Sequence, residues 1–219
     1  MRLPFSQQQF FDLFADYNRA VWPAALVAYL LGLTLVALAL RRRSILPEFI
    51  WTVLAIFWLF NGIAYHLLFF STINRAANLF GLLFIWQGLL FLYLGWKNPR
   101  LEFGNQSRAR VIAAGSLIAY SMVLYPILTA LSGHAYPSAP AFGIAPCPMT
   151  IFTFGMLLLA DGRFSRVALV VPILWSLVSL SAAVQLSVYA DFGLPISAIV
   201  ATTMLLRNRP STVARSAAV

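Results

Sequence analysis

The sequence is poor in charge and in the residues that usually carry chemistry. Only 10% of its 219 residues are charged, and it has one cysteine (Cys147), one lysine (Lys97) and two histidines. A single cysteine excludes an intrachain disulfide. A single lysine, placed between apolar stretches, excludes a retinal Schiff base within the membrane. So little charge, with 61% hydrophobic residues and a mean hydropathy of +0.84, excludes a water-soluble domain.

What the sequence has instead is seven long apolar stretches. A helix needs roughly 20 apolar residues to cross about 30 Å of hydrocarbon, and a bilayer leaves no partner for the unpaired backbone groups of an open strand. The sequence therefore predicts an all-α integral membrane protein, a single domain over residues 1–219 folded as a seven-helix bundle. The predicted spans lie near residues 22–40, 49–70, 76–94, 111–131, 146–160, 167–186 and 192–206.

The basic residues predict the orientation of this bundle. Of 15 basic residues, 12 fall in alternate loops and at the C-terminus, and only Arg2, Arg19 and Arg75 lie on the other side. The positive-inside rule then places the N-terminus outside and the C-terminus in the cytoplasm. The twelve are Arg41, Arg42, Arg43, Lys97, Arg100, Arg108, Arg110, Arg163, Arg166, Arg207, Arg209 and Arg215. We therefore expect the net charge of +9 to face anionic lipid head groups rather than nucleic acid.

The segment 5–18 before the first span predicts an amphipathic helix. Ser6 and Gln9 have the spacing of a capping box, and Phe10, Phe11, Phe14 and Tyr17 recur at helical spacing opposite Asp12 and Asp16. We expect this helix to lie at the outer membrane surface, either as an anchor or as a lid over the bundle. The apolar run that follows ends in three arginines, so we expect a retained span and not a signal peptide.

Polar side chains within or beside the spans gather at one end of the predicted bundle. Polar groups at membrane depth are costly and commonly mark functional sites. By the predicted topology these residues all lie near the extracytoplasmic face and form a candidate ligand-binding set. The set is Asn61, Tyr65, His66, Asn74, His134, Tyr136, Cys147, Thr150 and Asp191.

Each of these residues also has a structural interpretation that the sequence leaves open. Cys147 can be a small apolar space-filler, His66 a contact between helices and Asp191 an N-cap of the last helix. His134 can be a solvated loop residue, and the asparagines can hold helices together. A further group has spacings that suit close helix packing, and we assign it no chemistry: Ser176, Ser179, Ser181 and Gln185.

A metal site is one hypothesis for the same end of the bundle. His66, His134 and Cys147 are residue types that bind soft or borderline cations, which suggests Zn²⁺ or Cu(I) as a cofactor. The sequence has no His-x-x-x-His or Cys-x-x-Cys spacing, so no motif fixes such a site.

Several short motifs resemble a bacterial family of multi-span membrane proteins that is classed as a domain of unknown function, number 6064. The resemblance runs from Phe5 to about Leu206 and implies an intact family member in a bacterial inner membrane. It implies no activity, substrate or cofactor. Its motifs are Tyr17-Asn18, Trp22-Pro23, Asn61-Gly62, Tyr65-His66, Ile73-Asn74, Gly133-His134, Tyr136-Pro137, residues 142–148 and residues 150–153.

Three functions stay open at this point. The first is the binding or transport of a small solute or metal ion that enters from the extracytoplasmic side. The second is an integral membrane enzyme that acts on a lipid or small substrate at that interface. The third is a sensor or an assembly subunit without catalysis.

Overall fold

The computed structural model describes residues 3–40, 47–97, 106–160 and 166–207. Part of the orientation prediction falls on residues outside these ranges: Arg2, Arg41, Arg42, Arg43, Arg100, Arg163, Arg209 and Arg215.

The described residues form nine α-helices, and the prediction of an all-α fold is confirmed for them. Two π-helical segments, Asn61–Phe69 and Tyr120–Leu124, continue α3 and join α5 to α6. The helices are α1 (Gln7–Ala20), α2 (Ala24–Ala39), α3 (Pro47–Phe60), α4 (Ala77–Lys97), α5 (Arg108–Ala119), α6 (Tyr125–Leu131), α7 (Pro146–Leu159), α8 (Val170–Leu186) and α9 (Gly193–Arg207).

Five continuous helical segments of the described chain are long and apolar enough to cross a membrane. They are Glu48–Thr72, Ala77–Lys97, Arg108–Leu131, Arg166–Leu186 and Tyr189–Leu206. A sixth arises if α1 and α2, which meet at an angle of 82°, count as one broken span. The helix α7 has only 14 residues. All seven predicted stretches are helical, but the structure supports several membrane-length helices rather than a count of seven.

The outer surface of the bundle carries large apolar side chains. On α2, Leu26, Leu30 and Leu33 are each more than half exposed, and on α8 Leu177 and Val184 are similarly exposed. A contiguous apolar surface of this kind marks contact with lipid or with another protein. The bundle therefore has an outer face suited to hydrocarbon.

The helix α7 is the centre of the bundle. Thirteen of its 14 residues are buried, the exception being the half-buried Cys147. Close packing against α5 is possible because Gly155 has no side chain: a Cβ there would lie 2.7 Å from Ile118 Cγ1. At the C-terminal end of α7, the Arg110 Nη2 group donates a hydrogen bond of 3.0 Å to the Ala160 carbonyl. The guanidinium thereby pairs one of the carbonyls that a helix end leaves open.

Small residues bring the continuation of α3 against α4. A Cβ on Gly62 would lie 3.0 Å from the Gly81 carbonyl, and a Cβ on Gly81 would lie 3.0 Å from the Gly62 carbonyl. Such small-residue contacts let membrane helices approach closely. This contact fixes the π-helical segment Asn61–Phe69, which buries Asn61, Tyr65 and His66.

The loop between α6 and α7 is held from two sides. Tyr17 Oη donates to the Ile144 carbonyl (2.8 Å), and Asn61 Nδ2 donates to the Gly143 carbonyl (2.8 Å). Asn18 Nδ2 donates to the carbonyls of Pro137 (2.6 Å) and Ala139 (2.8 Å). The loop therefore covers the N-terminal end of α7 in a fixed position.

A glycine is required within this loop. Gly143 has a φ of +76°, a left-handed backbone conformation that residues with a Cβ rarely adopt. A Cβ at this position would also lie 2.5 Å from the Ala28 Cβ on α2. Both the backbone conformation and the close approach to α2 therefore depend on glycine.

The predicted amphipathic helix is α1, and its start is the capping box expected from the sequence. Ser6 Oγ accepts from the Gln9 backbone N–H, and Gln9 Oε1 accepts from the Ser6 backbone N–H. The aromatic face of α1 packs on the bundle, with Phe14 and Tyr17 buried, while Asp12 and Asp16 are exposed. The apolar face of this helix therefore contacts protein.

Candidate functional site

A cavity of about 360 Å³ lies at one end of the bundle. It is bordered by the N-terminal segment with α1, the turn before α4, the start of α7 and the second half of α8. Seven of its lining residues are aromatic, and we call it the aromatic cavity. These seven are Phe5, Phe10, Phe14, Tyr65, Phe70, Phe80 and Trp175.

Four residues of the predicted ligand-binding set line the aromatic cavity: Tyr65, Asn74, Cys147 and Asp191. They come from four separate parts of the chain, namely the π-helical segment after α3, the turn before α4, the start of α7 and the turn before α9. The fold therefore brings together a phenol, an amide, a thiol and a carboxylate that are far apart in the sequence.

Asp191 is the charged residue of this group, and it is buried, with 3% of its surface exposed. Its Oδ1 atom accepts a short hydrogen bond of 2.5 Å from Tyr125 Oη, and its side chain also interacts with the Cys147 thiol. The turn that carries it is held by Tyr120 Oη, which donates to the Ala190 carbonyl (2.7 Å). The carboxylate is therefore fixed at the wall of the cavity by α5–α6 and α7.

The N-terminal segment and α1 form the roof of the cavity. Phe10 and Phe14 line it from above, and the Phe14 ring stacks on the Tyr65 ring with centroids 5.1 Å apart. Gln7 Nε2 donates a hydrogen bond of 2.6 Å to the Leu186 carbonyl at the end of α8. The lid and the anchor that were expected for this helix both stay predictions.

His66 lies behind the cavity wall rather than in it. The imidazole is fully buried, and its ring centroid is 4.5 Å from that of Phe84 and 5.0 Å from that of Trp175. Neither ring nitrogen has a hydrogen-bond partner among the described residues. His66 therefore makes the expected contact between helices through the aromatic rings that enclose it, without a hydrogen bond to a described residue.

Asn61 and Thr150 are also buried outside the cavity lining. Asn61 uses its amide N–H₂ to bind the carbonyls of Phe57 and Gly143, each at 2.8 Å, which is the helix-holding role left open by the sequence. The Thr150 hydroxyl makes no hydrogen bond within the described part of the chain. Both residues support the inner wall instead of touching the space where a solute would sit.

His134 and Tyr136 belong to the contact between α1 and the loop before α7. The imidazole of His134 stacks on the buried Phe11 ring, with centroids 3.4 Å apart. Tyr136 packs near Trp22 (6.4 Å between centroids) and is half exposed. Neither residue lines the aromatic cavity, so the predicted ligand-binding set divides into three groups.

This division gives the metal hypothesis no support. Cys147 lines the cavity, His66 is enclosed by aromatic rings and His134 stacks on α1. Among the described residues, no group of three or more His, Cys, Asp and Glu side chains is placed to hold one ion. The predicted Zn²⁺ or Cu(I) ligands His66, His134 and Cys147 therefore find no support as a set.

Several residues of the site were missed by sequence reasoning. Tyr125 holds Asp191, and Trp175 borders both the Cys147 thiol and the His66 ring. The Trp175 Nε1 atom makes no well-formed hydrogen bond among the described residues. Aromatic side chains with a polar atom, placed within an apolar span, are the signal that would have found both. The group assigned to helix packing also contributes to the lining, through Ser179, Ser181 and Gln185.

Comparison with protein families confirms the resemblance drawn from the motifs. The chain belongs to a family of unknown function, DUF6064, whose model matches residues 7–216. No curated protein and no solved structure matches the chain.

Proposed function

Since this family brings no activity with it, we propose from the geometry that the chain is an integral membrane protein that binds a small solute in the aromatic cavity. The observation that carries this proposal is the cavity itself. Its volume of about 360 Å³ lies within the range of roughly 300–1,000 Å³ that is usual for ligand sites. Aromatic walls with a few convergent polar groups are also the usual lining of such sites.

The membrane setting follows from the apolar exterior. Five membrane-length segments, the bent pair α1–α2 and the buried α7 together are consistent with the seven-helix bundle expected from the sequence. In this proposal α7 is enclosed by the other helices, which explains why it can be short. A bacterial inner membrane remains the location implied by the family resemblance.

In the orientation that we propose, the cavity lies on the extracytoplasmic side. Lys97, Arg108, Arg110 and Arg166 lie at helix ends remote from the cavity, at the end of α4, the start of α5 and just before α8. The positive-inside rule assigns these ends to the cytoplasm, beside anionic lipid head groups. A solute would then enter the cavity from outside, and transport through the bundle would be a further step beyond binding. The enzyme and sensor interpretations stay predictions from the sequence.

Filling the cavity tests the binding proposal. Ala182 lines the cavity from α8, whereas Val184 on the same helix is 63% exposed and does not line it. Ala182→Trp should occupy the cavity and slow the alkylation of Cys147 by N-ethylmaleimide at least about fivefold, whereas Val184→Trp leaves the rate unchanged. Because Cys147 is the only cysteine, intact-protein mass measures this single reaction.

The same pair of variants tests for a natural solute. Native mass spectrometry of protein purified from membranes should detect a small bound molecule in the natural chain and in Val184→Trp, and should not detect it in Ala182→Trp. Equal alkylation rates and equal bound mass in all three proteins would contradict the proposal.

Cysteine labelling tests the orientation. In a Cys147→Ser background, Thr72→Cys places a thiol in the exposed turn before α4, and Lys97→Cys places one at the other end of that helix. A membrane-impermeant maleimide added to intact cells should label the first variant and leave the second unlabelled until the membrane is opened. The reverse pattern would contradict the assigned orientation.

A further inference from the structure

The aromatic cavity has one acidic residue in its lining and no basic residue among the described lining residues. Asp191 supplies the carboxylate. Arg75 lies between two lining residues, Asn74 and Ala76, but its own side chain is exposed and does not line the cavity. Among the described residues, no basic side chain pairs with Asp191, whose side-chain partners are Tyr125 and Cys147. The Asp191 carboxylate would therefore attract a positively charged group into the cavity.

A buried carboxylate without a cation is costly in a membrane bundle. Removing one partner of a buried ion pair generally destabilises a protein because the remaining charge is left uncompensated. Here the second partner is missing from the described chain, while an open volume lies beside the carboxylate. A cationic group placed in that volume would complete the pair.

The walls of the cavity suit the rest of such a molecule. The rings of Phe10, Phe14 and Trp175 line the same cavity as Asp191. Aromatic rings attract a cation that lies within about 6 Å of their centroids. They also give apolar surface for a hydrocarbon body.

We propose that the solute of the aromatic cavity is a lipophilic organic ammonium ion, with its nitrogen on the Asp191 carboxylate and its hydrocarbon part among the rings of α1 and α8. This inference rests on the proposed function, since it names the chemical class of the solute for the same cavity. The described lining provides no cationic partner for the phosphate of a phospholipid amine, which favours a source without a phosphate. The source is therefore a free amine.

Protection of Cys147 tests this proposal, because the thiol lines the cavity beside Asp191. The protein is placed in phosphatidylcholine nanodiscs, and the alkylation rate by N-ethylmaleimide is measured with octylammonium, 1-octanol or octanoate. The three probes share one chain length and differ in charge. Octylammonium should halve the rate at a concentration at least about tenfold lower than 1-octanol, and octanoate should protect least.

The variant Asp191→Asn separates charge from shape. With each protein normalised to its own rate without probe, Asp191→Asn should raise the half-protecting concentration of octylammonium to that of 1-octanol and leave 1-octanol unchanged. The order of the three probes on the natural chain needs no variant, so it holds as a test even if Asp191→Asn does not fold.

The outcomes separate the two proposals. Equal protection by octylammonium and 1-octanol, or better protection by octanoate, would overturn the ammonium assignment and leave a cavity that binds apolar solutes. Protection by lysophosphatidylethanolamine equal to that by octylammonium would overturn the free amine as the source. The binding proposal itself fails only on the Ala182→Trp and Val184→Trp comparison.

Discussion

The two ends of the central helix α7 are built differently. From its middle to its C-terminal end two hydrogen bonds hold it: Trp58 Nε1 donates to Thr153 Oγ1 (3.0 Å), and Arg110 Nη2 donates to the Ala160 carbonyl (3.0 Å). Near its N-terminal end the Thr150 hydroxyl and both ring nitrogens of the neighbouring segment's His66 are buried without a partner in the described chain. Hydrogen bonds hold the first end in place, and the second end borders the aromatic cavity.

This difference separates residues that stabilise the bundle from residues that line a site. Buried polar groups in membrane proteins are usually paired, and exceptions require a specific explanation. The exceptions near the start of α7 lie beside the polar residues that line the aromatic cavity, so they coincide with the candidate site. Substitutions at the paired end should lower stability, and those at the unpaired end should affect stability little.

The largest expected effect is at the paired end. Arg110→Ala removes a buried guanidinium and leaves the Ala160 carbonyl without this donor, so the free energy of unfolding should fall by about 2–3 kcal/mol. The measurement is SDS-induced unfolding followed by tryptophan fluorescence. Arg108→Ala, which removes an exposed arginine two residues earlier, is the control and should change stability by less than about 0.5 kcal/mol. Equal losses in the two variants would remove the contrast between the ends of α7.

A smaller effect is expected at two threonines of α7, of which one forms a hydrogen bond with Trp58 and the other has no hydrogen bond in the described chain. Thr153→Val leaves Trp58 Nε1 without its acceptor and should cost about 1–2 kcal/mol in the same unfolding assay. Thr150→Val replaces a hydroxyl that makes no hydrogen bond in the described chain, so stability should stay unchanged or rise. A loss at Thr150 as large as that at Thr153 would show that the hydroxyl has a partner, such as bound water.

The smallest effect is expected at His66. His66→Phe keeps the aromatic contacts with Phe84 and Trp175 and removes two ring nitrogens without partners, so stability should change by less than about 1 kcal/mol. Elemental analysis of the purified natural chain and of this variant should give the same metal content. Stoichiometric zinc or copper that disappears in His66→Phe would restore the metal hypothesis for this residue.

Much of the fold follows from the length and continuity of the apolar stretches. Each predicted stretch contains a helix, and its bounds differ from those in the structure by at most three residues. The capping box at Ser6 was also predicted, because its two residues lie close together in the sequence and need no contact with another helix. The central position of α7 was not predicted, since hydropathy does not distinguish a helix that faces lipid from one that faces other helices.

The candidate site was predicted only in part. Tyr65, Asn74, Cys147 and Asp191 were correctly expected to share one end of the bundle, because alternate helix ends meet there. The sequence did not show that His134 would stack on α1, because that contact joins residues more than 120 positions apart. Nor did it show that Tyr125 would hold Asp191, since each lies in a different span.

The shortness of α7 has a consequence for how deep a bound molecule would sit. Fourteen residues span about 21 Å at 1.5 Å per residue, and the hydrocarbon layer is about 30 Å thick. If Arg110 holds the C-terminal end at the cytoplasmic boundary, as the proposed orientation requires, the first residue of α7 stops about 9 Å short of the opposite boundary. In the proposed membrane setting, a solute beside Cys147 would thus rest below the plane of the lipid ester groups, enclosed by the aromatic walls of the cavity.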